Sequence, residues 1–87
     1  MPQTNETLTT LRTAIDAAAA AADAFSVAAL AAKDALRIRD MFSCDSPGWH
    51  EADREFQQTM RELHIHRDLA RASEAIATAT VLASVTD

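Results

Sequence analysis

The hydrophobic positions between residues 8 and 36 recur at alternating intervals of three and four, which predicts an α-helix with one apolar stripe. A stripe about four heptads long is typical of a helix that packs lengthwise against another helix. Many of its members are alanines, which bury little area unless the partner helix comes very close. The predicted stripe consists of Leu8, Leu11, Ile15, Ala18, Ala22, Phe25, Ala29, Ala32 and Leu36.

A second helix is predicted after the sequence Ser46-Pro47. The serine side chain can accept a hydrogen bond from a free amide of the first turn, and proline has no amide to leave unpaired. One apolar stripe of this helix has members seven residues apart: Trp49, Phe56, Leu63, Ala70 and Ala77. Another lies around the helix from it: Ile65, Leu69, Ala72, Ile76 and Ala83. Two stripes on one helix leave open a bend or a break near residues 63–66.

Glycine and proline divide the chain once, because Pro2, Pro47 and Gly48 are its only residues of these two types. We therefore predict a single all-α domain over residues 1–87. Its predicted parts are a helix region at 5–42, a turn at 43–48 and a helix region at 47–85. Two architectures fit this division: an antiparallel helical hairpin, or a small bundle of three or four shorter helices. In the hairpin, residue i lies beside residue 89 − i.

The apolar core of either architecture is predicted to be thin. Hydrophobic residues make up 48% of the chain, but 20 of its 87 residues are alanine. A chain of this length buries only about 60 to 65% of the surface that its unfolded form exposes. We therefore expect the protein to form a homodimer, in which two hairpins complete a four-helix bundle.

Charge and cysteine content narrow the predicted partners and compartment. The net charge of −5 argues against direct nucleic-acid binding, which needs clustered Lys and Arg to neutralise phosphates. A single cysteine, Cys44, forms no internal disulfide and fits the reducing cytoplasm. Charged residues interrupt the alanine-rich stretch, so no membrane span of 18 apolar residues is expected. These charges are Asp16, Asp23, Lys33 and Asp34.

The sequence carries no pattern typical of catalysis, of a metal site or of a cofactor site. His64 and His66 lie two residues apart, so on a helix their side chains point in nearly opposite directions and cannot share a metal. Cys44 and His50 flank the predicted turn, but the single glycine leaves no loop that could form an oxyanion hole. We expect a protein that is not an enzyme and that binds neither a metal nor a cofactor.

The predicted turn combines aromatic and acidic residues in one short region. Trp is enriched among the residues that dominate protein–protein binding, and charges around such an anchor set association rate and specificity. The predicted partner-binding residues are Phe42, Asp45, Trp49, His50, Glu51 and Asp53. Two simpler interpretations remain open. Trp49 packs beneath the turn as part of the core, and the row of Glu51, Glu55, Gln58 and Glu62 is an ordinary solvated helix face.

Together these features favour a non-enzymatic helical protein-interaction module. The leading hypothesis is a stoichiometric inhibitor or adaptor that occludes a site on a larger protein, as small phage-encoded anti-defence proteins do. This analogy with viral proteins rests on size and charge profile alone. The first alternative is a structural subunit that self-associates into a scaffold, and the second is a metal-binding helical bundle.

Overall fold

The computed structural model describes residues 5–86 and contains two long α-helices, α1 (Asn5–Asp40) and α2 (Pro47–Thr86). Within these residues there is no β-strand, which confirms the prediction of an all-α fold. The helices pack side by side and run antiparallel, since the start of α1 and the end of α2 line one groove. The pair measures 66 × 14 × 12 Å.

The side of α1 that packs on α2 differs in part from the predicted stripe. Leu11, Ala18, Phe25 and Ala32 do face α2, but Leu8 and Ile15 are 49% and 50% exposed, and Ala22 and Ala29 are also exposed. The residues that α2 covers in their place are Thr7, Ala14, Ala21, Ala28 and Ala35. Because this row is smaller, it lets the two backbones approach more closely than a row containing Leu8 and Ile15.

The predicted stripe of α2 with seven-residue spacing is the one that faces α1. Trp49, Phe56, Leu63, Ala70 and Ala77 are all partly buried. Small or polar residues alternate with them on the contact side: Ala52, Thr59, His66, Ser73, Thr80 and Ser84. The break considered near residues 63–66 is absent, because α2 continues through them as one helix. It has no Gly or Pro after Gly48, so nothing in the sequence interrupts its backbone hydrogen bonds.

Few residues are fully enclosed by this packing. Among the described residues, Ala32 and Ala52 are the buried hydrophobic residues, with 5% and 6% of their surface exposed. Large side chains such as Phe25 and Leu63 are only partly covered. Two helices cover each other along one side only, so every large residue in the interface keeps one edge in water.

The helices are joined by a tight turn. Directly after α1 the hydrogen bonds span three residues instead of four: the Met41 N–H donates to the Ile38 carbonyl oxygen over 3.1 Å. The Ser46 N–H then donates to the Ser43 carbonyl oxygen over 3.0 Å. Asp45, the third residue of this turn, has a φ of 64°, a left-handed conformation that Asp tolerates better than most residues. α1 therefore ends at Asp40, two residues before the predicted end of the first helix region.

The start of α2 confirms the role predicted for Ser46 and Pro47. The Ser46 Oγ accepts a hydrogen bond from the Trp49 N–H over 3.1 Å, and Pro47 is the first residue of the helix. The next residue is a glycine, Gly48, because the ring of Phe42 lies against its backbone. A Cβ atom at Gly48 would come within 2.5 Å of the Phe42 Cδ1 atom.

Candidate functional site

At the turn end of the molecule, Arg39 is held between two aromatic rings of α2. Its guanidinium carbon lies 5.2 Å from the centroid of the Trp49 ring system and 4.9 Å from that of Phe56. Its Nη1 donates to the Asp53 Oδ1 over 2.8 Å. This hydrogen bond to Asp53 is the main reason that the pKa of Arg39 is raised. We call Arg39, Trp49, Asp53 and Phe56 the arginine clamp.

The arginine clamp engages two of the six predicted partner-binding residues within the chain itself. Trp49 is partly buried, and one side of its ring system packs against Arg39. The side chain of Asp53 is 25% exposed and shares a salt bridge with Arg39. Neither was expected to have this internal partner. The sequence carried one signal, because Arg39 lies seven residues after Ala32 and so falls on the buried side of α1.

The other four predicted residues lie at the surface of the turn end. Phe42 is 46% exposed, and Asp45, His50 and Glu51 are exposed as well. The His50 Nε2 lies 3.7 Å from the Asp45 Oδ1, and the His50 ring meets the Trp49 ring edge-on, with centroids 5.2 Å apart. These four side chains form two pairs at this end of the molecule, because Asp45 lies beside His50, whereas Phe42 and Glu51 line one groove.

Along the sides of the helix pair, the structure has two unlike surfaces. One groove between the helices has charged residues at its edge: Ala18, Ala19, Ala22, Phe25, Arg67, Ala70, Arg71 and Glu74. On the opposite side, Thr10 and Ala83 line a groove at the end of the helix pair away from the turn. Ile38 and Glu55 line another groove on this side at the turn end. The positions between these pairs, at helical spacing, form a second long surface on this opposite side.

This opposite side changes character along its length. From Thr10 to Ala31 on α1 and from Ile65 to Ala83 on α2, the residues on this side are uncharged, and we call this part the apolar face; Glu6, one turn before Thr10, is charged. On α1 the apolar face contains Thr10, Thr13, Ala17, Ala20, Ala24, Val27 and Ala31; on α2 it contains Ile65, Leu69, Ala72, Ile76, Ala79 and Ala83. Toward the turn the same side carries Asp34, Glu51, Glu55 and Glu62, which we call the acidic end.

The sequence predicts two separate rows on this side of α2. One row is Glu51, Glu55, Gln58 and Glu62, and the other is Ile65, Leu69, Ala72, Ile76 and Ala83. The interval from Glu62 to Ile65 is three residues, so the two rows form one continuous row on the same side of α2. The alanines of α1 that border this row were also missed. They share its side only because α1 and α2 pack in this register.

His64, His66 and Cys44 lie in different surroundings. His64 is exposed, while His66 lies on the side of α2 that packs on α1, and Cys44 is exposed in the turn. Within residues 5–86, no three residues of the types His, Cys, Asp and Glu lie close enough to hold a metal ion together.

One finding bears on the prediction about membrane-spanning segments. α1 has an 18-residue window with a mean hydropathy of 1.5 and few charges, so by length and composition alone it is long and apolar enough to cross a membrane. The mean hydropathy is high because alanine is abundant and outweighs the scattered charges.

No protein-family model matches this chain, and neither curated protein sequences nor solved structures give a significant match.

Proposed function

We propose that this chain is a non-enzymatic helical module that binds other proteins, and that the antiparallel helix pair is the protomer of a homodimer. In the dimer, two helix pairs form a four-helix bundle. A compact single-chain bundle of three or four helices fits less well, because α1 and α2 are long and uninterrupted. The leading role of this module is to occlude a site on a larger protein.

The observation that carries this proposal is the mismatch between buried and exposed apolar side chains. Ala32 and Ala52 are the buried hydrophobic residues in the described part of the chain, whereas larger ones stay in water. Val27, Ile65 and Ile76 are 67%, 58% and 63% exposed. Full burial of a Val, Leu or Ile side chain contributes about 1.5 to 3 kcal/mol. A second protein surface is the available way to gain that free energy.

A weak, reversible dimer is expected from these magnitudes. Completing the burial of four half-exposed side chains on each copy gives a gain on the order of 8 kcal/mol. Association costs roughly 4 to 15 kcal/mol in lost translational and rotational freedom. At the low end of that cost a net gain of about 4 kcal/mol remains, which corresponds to a dissociation constant of about 1 mM, so we expect a reversible equilibrium between monomer and dimer rather than a permanent assembly.

We further propose that the helix pair works in water, in the cytoplasm, and not in a membrane. Every 18-residue stretch of α1 with no more than two charges contains both Asp16 and Asp23. An aspartate at the centre of a membrane span costs about 3 kcal/mol, whereas each Leu, Ile, Phe or Val returns only about 0.5 kcal/mol. Such a stretch holds few of these four residue types, among them Phe25 and Val27. Insertion is therefore unfavourable despite the high mean hydropathy.

Sedimentation equilibrium over a concentration series tests the dimer directly. We expect the mean mass to rise from the 9.4 kDa of the single chain toward twice that value and to stop there. A mass that stays at one chain at every concentration would refute the dimer. A mass that keeps growing would favour the scaffold subunit, and metal retained by protein purified without added metal would favour the metal-binding bundle.

A second candidate surface is the exposed part of the turn end. Phe42, Asp45, His50 and Glu51 combine an accessible ring with carboxylates, a combination suited to a partner that has a basic groove. Replacing Asp45 and Glu51 together by Lys should abolish binding to such a partner without unfolding the helices. Asp53 is unsuitable for this test, because its loss also breaks the salt bridge to Arg39.

The matched control for that test reverses charges far from the turn, at Asp16 and Asp23, which are exposed on α1. The partner is captured from host lysate with the parent protein, identified by mass spectrometry and then assayed as purified protein. If the turn variant binds the purified partner as tightly as the parent does, the turn is not the binding surface.

A further inference from the structure

We propose that the apolar face is the contact surface for a second copy of this chain, and that the two copies meet in opposite directions with their turns at opposite ends. This inference rests on the proposed function and adds to it the surface, the orientation and the register. The occupant is a second copy because a two-fold contact places an uncharged surface against an identical uncharged surface.

The distribution of charge selects the orientation. On α2 the row that begins at Glu51 is acidic through Glu62 and uncharged from Ile65 onward. The bordering row of α1 is uncharged from Thr10 to Ala31 and then reaches Asp34. Each copy therefore has one half that favours burial and one half that opposes it.

A dimer with both turns at the same end would bring carboxylates together. Its two-fold axis runs along the helices and lays α1 of each copy over α2 of the other. Residues whose numbers add up to about 89 lie at the same level of the helix pair, as Ala22 and Arg67 do in the groove they share. Asp34 and Glu55 are at one such level, so each Asp34 would face a Glu55 of the other copy. Like charges placed opposite each other destabilise an interface.

A dimer with turns at opposite ends avoids this contact. Its two-fold axis crosses the helices, and it lays α2 of one copy over α2 of the other. With the axis near the level of Ala70, the larger side chains meet their counterparts: Ile65 lies over Ile76 of the second copy, and Leu69 over its Ala72. In this register Asp34, Glu51 and Glu55 lie at or beyond the edge of the overlap, where water solvates their carboxylates. Glu62 lies over Ala79 of the second copy and Glu6 over its Ala31, so these two carboxylates face uncharged residues.

The contact area fits a weak, reversible dimer. The helix pair is 14 Å wide, and the overlap spans roughly 27 residues of each helix, or about 40 Å at 1.5 Å per residue. That gives roughly 550 Å² on each copy, near the lower end of specific protein–protein interfaces. The arrangement also separates the two acidic ends, so the dimer would present two identical turn surfaces to partners about 80 Å apart.

The single cysteine makes the orientation measurable. Cys44 is exposed in the turn and accepts a spin label without any mutation. For turns at opposite ends we expect a distance between the two labels of about 75 to 80 Å, and for turns at the same end less than about 30 Å. A second label site, Asp68→Cys in a Cys44→Ser background, lies near the proposed axis and should give a distance under about 25 Å.

A matched pair of variants tests the surface itself. Ile76 on the apolar face and Leu30 on the outer side of α1 are each 63% exposed. Ile76→Lys should raise the dissociation constant of the dimer by roughly 100-fold or more, because it places a charge in the contact twice per dimer. Leu30→Lys should leave the constant within about threefold, because this position remains in water. Circular dichroism verifies that both variants stay helical.

Each other outcome overturns a defined part of the proposal. Close Cys44 labels in a protein that is dimeric would refute the orientation and leave the proposed dimer intact. A dimer that tolerates Ile76→Lys but loses affinity with Leu30→Lys would refute the surface. A parent protein that stays monomeric at every concentration would refute both this inference and the proposed dimer.

Discussion

The turn end and the alanine-rich half of the helix pair are held together in different ways. At the turn, the guanidinium of Arg39 joins α1 to α2 through two rings and one carboxylate. In the alanine-rich half, small residues face each other, and large residues such as Ile65 and Ile76 point outward. At the turn end Trp49 and Phe56 therefore pack within the chain, whereas in the alanine-rich half Ile65 and Ile76 remain exposed.

This difference follows from how much each end can bury. A turn brings the chain back over its own aromatic residues, so one side chain is covered from several directions. Two straight helices cover each other along a single line. Close alanine packing recovers dispersion contacts along that line but cannot enclose a large side chain. Because a second copy would cover the exposed side chains of the alanine-rich half, its stability is expected to depend on protein concentration. Each variant is therefore compared with the parent at one fixed concentration.

The largest expected effect is at the arginine clamp. Trp49→Ala should lower the free energy of unfolding by roughly 2 to 3 kcal/mol, because it removes a partly buried aromatic side chain and one wall around Arg39. Urea denaturation measures the change. Phe42→Ala serves as the control at the same end and should cost less than about 1.5 kcal/mol, since this ring is already half exposed. A larger loss from Phe42→Ala would show that the clamp does not hold the turn end.

Enlarging an alanine distinguishes the interface from its margin. Ala32→Leu should destabilise the protein by about 1 to 3 kcal/mol through overpacking, because Ala32 is only 5% exposed where α1 meets α2. Ala22→Leu should change stability by less than about 0.5 kcal/mol, because Ala22 is exposed along an open groove. Thermal denaturation of the two variants settles this. Equal destabilisation by both would mean that Ala22 and Ala32 are packed alike.

Asp45 tests the strain in the turn. Its positive φ suits glycine, so Asp45→Gly should leave the protein as stable or raise the free energy of unfolding by about 0.5 kcal/mol. Asp45→Val should lower it by about 1 kcal/mol, because a β-branched residue fits this conformation poorly. The difference between the two variants is the quantity to measure. No difference would indicate that the turn changes conformation freely.

The smallest expected effect comes from the charge of Asp53. Asp53→Asn keeps an oxygen that accepts the hydrogen bond from Arg39 but removes the ionic attraction, so only a slight fall in melting temperature is expected. Added salt should weaken the parent more than this variant, since it screens the same attraction. Glu51→Gln, a matched change at an exposed carboxylate of α2, should alter neither quantity. A salt response that Asp53→Asn leaves unchanged would mean that other charges cause it.

Part of this architecture could be predicted because it depends on neighbours in the chain. Ser46 and Pro47 begin α2 through hydrogen-bonding chemistry that involves the next few residues only. The seven-residue spacing from Trp49 to Ala77 places those residues on one side of a helix under any tertiary arrangement. The stripe of α1 was harder, because Ala14 and Ile15 are equally plausible interface residues by spacing. The short distance between the two backbones places Ala14, the smaller residue, in the interface and leaves Ile15 exposed.

The candidate surfaces, too, could be predicted from the sequence only in part. The turn was predicted as a place where aromatic and acidic residues gather, and Phe42, Asp45, His50 and Glu51 are exposed there. That Trp49 and Asp53 bind Arg39 could not be predicted. Arg39 is fourteen residues from Asp53 along the chain, and the contact depends on how far the turn shifts one helix against the other.

By itself, the sequence determined that this protein is helical, that the chain turns back once near residue 45 and that its core is built from alanine. These properties come from helical periodicity, from the positions of Pro and Gly and from side-chain size, all of which act locally. The tertiary structure decided which alanines meet, which charges are paired and which apolar residues are left outside. These outcomes depend on the register and separation of two long helices, which residues distant in the sequence set together.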